Sequence, residues 1–109
     1  MSAGAGAGAG AAVGTLTGFH KPGDVVSFQL PNWWHVAALH LACARIGAVA
    51  NPILMILRHR EVRFILERLQ SHILIVPSTF RGFDHAGLGH ELRSAVPTLD
   101  DVFVVDHPT

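Results

Sequence analysis

Hydrophobic and polar positions fall into successive blocks along the chain, and each block keeps one period. Val25-Val26-Ser27-Phe28-Gln29-Leu30 is β-branched and aromatic, follows the turn signal Lys21-Pro22-Gly23-Asp24, and predicts a strand ended by Pro31. From Trp33 to Ile46 the chain is apolar on nearly every helical face, with Asn32 placed to cap the start and Gly47 to stop the end. Such a helix is expected to be buried on most sides. Ala48-Val49-Ala50, closed by Asn51-Pro52, reads as a short second strand.

Between His59 and Gln70, Val62, Ile65, Leu66 and Leu69 recur at helical spacing, while Arg60, Arg63, Glu67 and Arg68 take the other faces. His72-Ile73-Leu74-Ile75-Val76 is a continuous apolar run, the pattern of a strand covered on both sides. Leu88, Leu92 and Val96 predict a third helix from Asp84 to Val96, weakened by Gly87 and Gly89, each of which costs roughly 1 kcal/mol against alanine in a helix interior. Val102-Phe103-Val104-Val105 closes the series as a fourth strand.

Strands that alternate with helices over connections too long for hairpins require right-handed crossovers. The expected fold is α/β: a three-layer arrangement of a mainly parallel sheet with helices on both faces. The six prolines all fall at predicted joints or ends, which agrees with this division. Residues 2 to 12 are glycine, alanine and one serine, with nothing to bury and a large ordering entropy. Residues 1–18 are therefore expected to be a disordered tail ahead of one α/β unit over 19–109. A glycine-rich loop binds phosphate when a strand delivers it and a helix with lysine and serine or threonine follows, a context this tract lacks.

Composition narrows the functional classes. The chain has 109 residues, enough for one core, and its 8 basic and 8 acidic side chains leave no charge surplus for nucleic acid or anionic lipid. Hydrophobic residues reach 50% and charged residues only 15%, so some apolar surface is expected to need a cover: further chain, a partner, or self-association. The lone Cys43 excludes a disulfide framework, and the N-terminus lacks the basic and leucine-rich regions of a secretory signal, which points to the cytoplasm. Val25 to Ala44 has no charged residue, but Gln29, Pro31, Asn32, His35 and His40 interrupt it, so no membrane span is expected.

Candidate chemistry is sparse. His35 and His40 are five apart, as are His85 and His90, a spacing that sends them to different helix faces, and no cysteine pair joins them in a metal site. Trp33 and Trp34 read as anchors of a helix on its sheet before they read as a ligand wall. Arg81, between Phe80 and Phe83, sits where a loop meets a phosphate, although a solvated or carboxylate-paired arginine is the simpler role. Asp84 with His85 and His90 with Glu91 are neighbours whose side chains diverge on a helix, and Ser78-Thr79 is turn chemistry. No catalytic, cofactor-binding or metal residue is assigned.

Three segments carry a resemblance: Lys21-Pro22-Gly23-Asp24 into Val25, then Leu30-Pro31-Asn32, then Ala44-Arg45-Ile46-Gly47-Ala48-Val49-Ala50-Asn51-Pro52-Ile53. In this order and spacing they resemble the early N-terminal domain of adenylate-forming (AMP-binding) acyl-CoA synthetases. Arg60-Glu61-Val62 through Leu66 and the isoleucine-rich strand after it extend the likeness. Trp33-Trp34 and the run Thr79 to His85 are most similar to bacterial enzymes near the cyclohexanecarboxylate-CoA ligase group. The chain departs at His35, where relatives often carry glutamate, at Met55, where proline is common, and at Gly87 and Gly89.

The resemblance implies a fragment of the adenylate-forming N-terminal domain and, for the complete enzyme, a two-step reaction. A carboxylate attacks ATP to give an acyl-adenylate and pyrophosphate, and the CoA thiol then displaces AMP. ATP, Mg²⁺ and CoA are the cofactors so implied, with a role in fatty acid metabolism. The family's motifs for this chemistry are a Ser/Thr/Gly-rich loop with Pro-Lys, a glutamate-bearing segment, a ribose-binding aspartate and a C-terminal lysine. None occurs here, and Lys21, the only lysine, matches none of them. The expectation is a truncated N-terminal portion, inactive alone and holding no cofactor itself, whose partner is the remainder of the ligase or another copy. The alternative is a small α/β binding module that uses its apolar surface as an interface.

Overall fold

The computed structural model describes residues 23–106, so the tail expected over 1–18 and the last three residues lie outside the described residues. Strand β1 (Val25–Phe28) leads into helix α1 (Trp34–Ile46), followed by β2 (Val49–Pro52), α2 (His59–Leu69) and β3 (Ile73–Val76). A two-strand hairpin, β4 (Thr79–Phe80) and β5 (Phe83–Asp84), then precedes α3 (His85–Ala95) and β6 (Asp101–Val104).

The four long strands form one sheet in the order β2-β1-β3-β6, parallel throughout. Register follows from alternation. Ile73 and Ile75 of β3 join Val26, Phe28, Leu39, Cys43 and Phe103 on the α1 side. Leu74 and Val76 join Val62, Leu66, Leu88 and Leu92 on the side of α2 and α3. Every residue of β3 is therefore buried, which explains its unbroken apolar run. The expected three layers are present.

Four details differ from the expectation. Asn32 does not cap α1: the Trp33 amide donates to the Pro31 carbonyl at 2.6 Å, a tight turn that leaves Asn32 one residue too early. Trp33 takes the cap position without a side-chain bond. Nor is α1 buried on most faces, because Trp34 is 48% and Leu41 69% exposed on its outer side. The hairpin was not predicted, since Arg81-Gly82 lacks the usual asparagine or aspartate. Both residues nevertheless take left-handed conformations (φ 50° and 80°), as a two-residue turn requires.

The fourth difference concerns the glycines of α3. A β-carbon at Gly89 would lie 2.7 Å from Val102 Cγ1, so its absence lets the helix settle onto β6. At Gly87 the amide donates to Asp84 Oδ1 at 2.9 Å, and a β-carbon would meet the same carboxylate at 2.3 Å. Asp84 thus caps α3, and its bond offsets part of the propensity cost of the two glycines.

Candidate functional site

The path of the chain marks one edge of the sheet. From β1 the chain passes through α1 to β2 on one flank; from β2 it returns through α2, on the opposite face, to β3 on the other flank. Strand order reverses between β1 and β3, and open α/β sheets place ligands beyond the carboxyl ends of strands at such a reversal. Three connections meet there: residues 29–33, 53–58 and 77–84.

Gln29, just past β1, joins them. Its Nε2 donates to the carbonyls of Leu54 at 2.8 Å and Leu57 at 3.0 Å, and its Oε1 lies 3.3 Å from His85 Nδ1. Both amide hydrogens are then used, so Oε1 is the acceptor and His85 Nδ1 carries a hydrogen. Gln29 and His85 are both buried. Burial first, then the Arg58 guanidinium, holds the His85 imidazole below its ordinary pKa, while Asp84 acts in the opposite sense.

Aromatic rings and arginines surround this junction. Phe83 meets His85 edge-on with ring centroids 4.8 Å apart, and Arg58 lies over Phe83 at 3.9 Å. Arg58 also donates to the carbonyls of Met55 and Leu57, and its amide donates to Glu61 Oε1, closing the first turn of α2. Across the reversal, Trp33 and Phe80 meet edge-on at 6.4 Å. Ser78 donates through both its amide (3.1 Å) and its hydroxyl (2.8 Å) to Asp106 Oδ1, tying the end of β3 to the end of β6.

A second polar group lies beneath α2. Asn51 Nδ2 donates to Ser27 Oγ at 2.9 Å, Ser27 Oγ lies 2.8 Å from Ser71 Oγ, and Ser71 Oγ donates to the Ile73 carbonyl at 3.0 Å. This bonding order makes Ser27 the donor to Ser71 and links β2, β1 and β3 side by side.

The residues singled out in the sequence scatter. His35 is buried and stacked on Trp34 at 4.0 Å, whereas His40 is on the exposed side of α1 with its ring edge-on to Phe28 at 5.3 Å. His85 is buried and His90 exposed, and Glu91 pairs with His59 of α2 instead of His90. Trp33 packs against the core as an anchor, but Trp34 is half exposed, contrary to that role. Arg81 sits at the tip of the hairpin over Phe80 at 5.3 Å. Burial pushes the Cys43 thiol up, away from the thiolate.

Among the described residues no three His, Cys, Asp or Glu side chains converge on one point. The arrangement can orient the three loops, and the hydroxyl it sets on a carboxylate, Ser78 on Asp106, joins the ends of β3 and β6. Gln29 and Ser27 were the signal in the sequence: two polar residues alternating with Val26, Phe28 and Leu30 in an otherwise apolar strand. A separate open cleft of about 1050 Å³ lies between the outer faces of α2 and α3, floored by Leu57, Phe64, Ile65 and Leu92.

The model of the AMP-binding enzyme family matches residues 14–109. A 2-hydroxy-7-methoxy-5-methyl-1-naphthoate–CoA ligase of Streptomyces carzinostaticus is 39% identical over 84 residues, 77% of this chain and 15% of that enzyme. A medium-chain fatty-acid–CoA ligase of Escherichia coli (strain K12) is 33% identical over 86 residues, 79% of this chain and 15% of that enzyme. Among solved structures, acetoacetyl-CoA synthetase from Streptomyces lividans superposes with a TM-score of 0.75 at 26% identity, over 86% of this chain and 15% of that one. The chain thus spans about 15% of the length of the curated relatives it matches.

Proposed function

This chain belongs to the AMP-binding enzyme family, and on that premise we propose that it supplies scaffold, and not chemistry, to an ATP-dependent acyl-CoA ligase. Its part is the first strands of the sheet and the framework of their carboxyl edge. The complete enzyme would join a carboxylic acid to CoA through an acyl-adenylate. The match of residues 14–109 to the family model is the observation that carries this reading.

The substrate class we infer is a carboxylic acid with an apolar body, within the range of the naphthoate and medium-chain fatty acid named for the two relatives. Trp33-Trp34 and the run from Thr79 to His85 support the finer assignment to the group acting on alicyclic acids. The cytoplasm is the compartment that fits a single buried cysteine, Cys43. No helix of the described residues is long and apolar enough to cross a membrane.

ATP, Mg²⁺ and CoA enter this reading through the family. The residues at the carboxyl edge do not fit a triphosphate with its metal. Asp84 is bonded to the Gly87 amide, Asp106 to Ser78, and Arg58 to two carbonyls, so these three charged groups hold the fold together, and Arg81 at the hairpin tip lies over Phe80. The glycines of the hairpin and of α3 accompany no lysine. What these residues do is hold three loops in register and keep water out of the junction beneath them.

The test is pyrophosphate release from ATP by the purified chain in the presence of fatty, aromatic and alicyclic acids. No release above a no-protein control is expected; acid-dependent release overturns the reading. A second reading, a small module that binds a partner, is favoured by the exposed Leu41, Ile56 and Phe64. It requires a monomeric chain in size-exclusion chromatography until that partner is added. The ligase reading expects those surfaces to be covered in the complete enzyme and the isolated chain to self-associate.

A further inference from the structure

We propose that the free edge of β6 is a docking site for an extended segment of another polypeptide, with β-branched side chains at its centre and lysine or arginine at its ends. The proposal stands on the geometry of the sheet and does not rest on the ligase reading. Among the described residues the sheet ends at β2 on one side and at β6 on the other, and no strand lies beyond either. An edge strand presents unpaired main-chain donors and acceptors, so what it fits is a further strand.

The two edges are not equivalent. In β2 the Val49 amide donates to the Asp24 carbonyl at 2.8 Å and the Ile53 amide to the Phe28 carbonyl at 2.9 Å. Alternation then turns the main chain of Ala50 and Pro52 outward, and proline has no N–H to offer. In β6 the Asp101 amide donates to the His72 carbonyl at 3.3 Å and the Val105 amide to the Val76 carbonyl at 2.9 Å, which turns the main chain of Val102 and Val104 outward. Both valines carry an N–H and a C=O, and no proline, lysine or bulge interrupts them. Strand addition is blocked at β2 and open at β6.

The two faces of β6 are already covered. Phe103 and Val105 are buried in the α1 layer, and Gly89 lets α3 settle against Val102 on the other face. Val102 and Val104 nevertheless stay half-buried, because the side left bare is lateral. An added strand is therefore held by main-chain bonds to these two residues and by contact with their side chains.

Charge selects the occupant. Asp101 opens β6 and Asp106 follows its end, and neither makes an ion pair among the described residues. Asp106 is bonded to Ser78, which carries no charge, and Asp100 faces the His72 ring. Carboxylates thus bracket the valines at both ends, and a segment with a cation at each end meets them. A second copy is the poorer fit. Two-fold pairing of β6 with itself through both valines is centred on Phe103 and sets Asp100 opposite Asp106 of the second copy at either end, like charges across an antiparallel pair.

The test is fluorescence anisotropy of a labelled peptide, Lys-Val-Thr-Val-Thr-Lys, titrated with the full chain, together with hydrogen exchange of the complex. Saturable binding is expected, with slowed exchange at the Val102 and Val104 amides and none at Ala50. The same peptide N-methylated on every backbone amide keeps its side chains but loses its donors, and should bind at least about tenfold more weakly. With glutamate in place of both lysines, binding at low salt should weaken about fivefold or more. Absence of binding, equal binding of the methylated or the glutamate-ended peptide, or protection confined to other amides overturns the proposal. Protection of Val102 and Val104 that rises with the concentration of the chain alone also overturns it, because a second copy then occupies the edge.

Discussion

The two faces of the sheet are held in different ways. Against α1, Val26, Phe28, Ile73, Ile75 and Phe103 pack hydrocarbon on hydrocarbon, with Leu39, Ala42 and Cys43 completing the layer. Against α2 and α3, the apolar Leu74 and Val76 share the face with Ser27, Gln29, Ser71 and His85, all buried and joined by hydrogen bonds. Non-directional burial accepts many arrangements of similar volume, whereas a buried hydrogen-bonded set accepts only the register in which each donor meets its acceptor. Both faces bury apolar clusters of similar size, and the polar groups of the α2 and α3 side further specify which strands are neighbours and how the loops beyond them lie.

Substitutions that separate the two faces sharpen or break this contrast. The largest effect is expected at Phe28, fully buried under α1: Phe28→Ala should cost ~3–5 kcal/mol in denaturant unfolding through lost transfer energy and the cavity left behind. Gly89→Val on the opposite face should cost about 2–3 kcal/mol, because its side chain has to enter space held by Val102. A neutral result would show that α3 is free to shift on β6.

Ser27→Ala should cost about 1–2 kcal/mol despite removing a single oxygen, since Asn51 loses its acceptor and Ser71 a partner inside the sheet. If it proves neutral, the polar set contributes no specificity and the contrast between the faces fails. The smallest effect on stability is expected at Leu41→Glu, on the exposed side of α1, within ~0.5 kcal/mol. Self-association read by light scattering should nevertheless fall, because the apolar patch carrying Leu41 and Trp34 is interrupted.

How far the sequence disclosed all this depends on whether a feature is periodic. β1, α1, β2, α2, β3 and β6 lie close to where apolar spacing put them, because each element must bury a stripe or a face and that requirement is written locally. The hairpin was missed because Arg81 and Gly82 adopt a turn usually marked by asparagine or aspartate. The glycines of α3 read as a weakness until Val102 and Asp84, the atoms that exclude a β-carbon, were placed against them. The junction at the carboxyl edge was not legible at all as a set. Gln29 and His85 are 56 positions apart, and only the return of the chain across β1 brings them together. What the sequence did carry was an anomaly, a glutamine and a serine inside an apolar strand.

The chain belongs to the AMP-binding enzyme family, and the part we propose for it is structural, within a complete acyl-CoA ligase whose chemistry lies elsewhere. Calorimetric titration of the purified chain with ATP and Mg²⁺ tests that claim most directly. The account predicts no saturable heat at any ratio of nucleotide to protein. Saturable binding of one nucleotide per chain, lost on changing residues at the carboxyl edge, would contradict it.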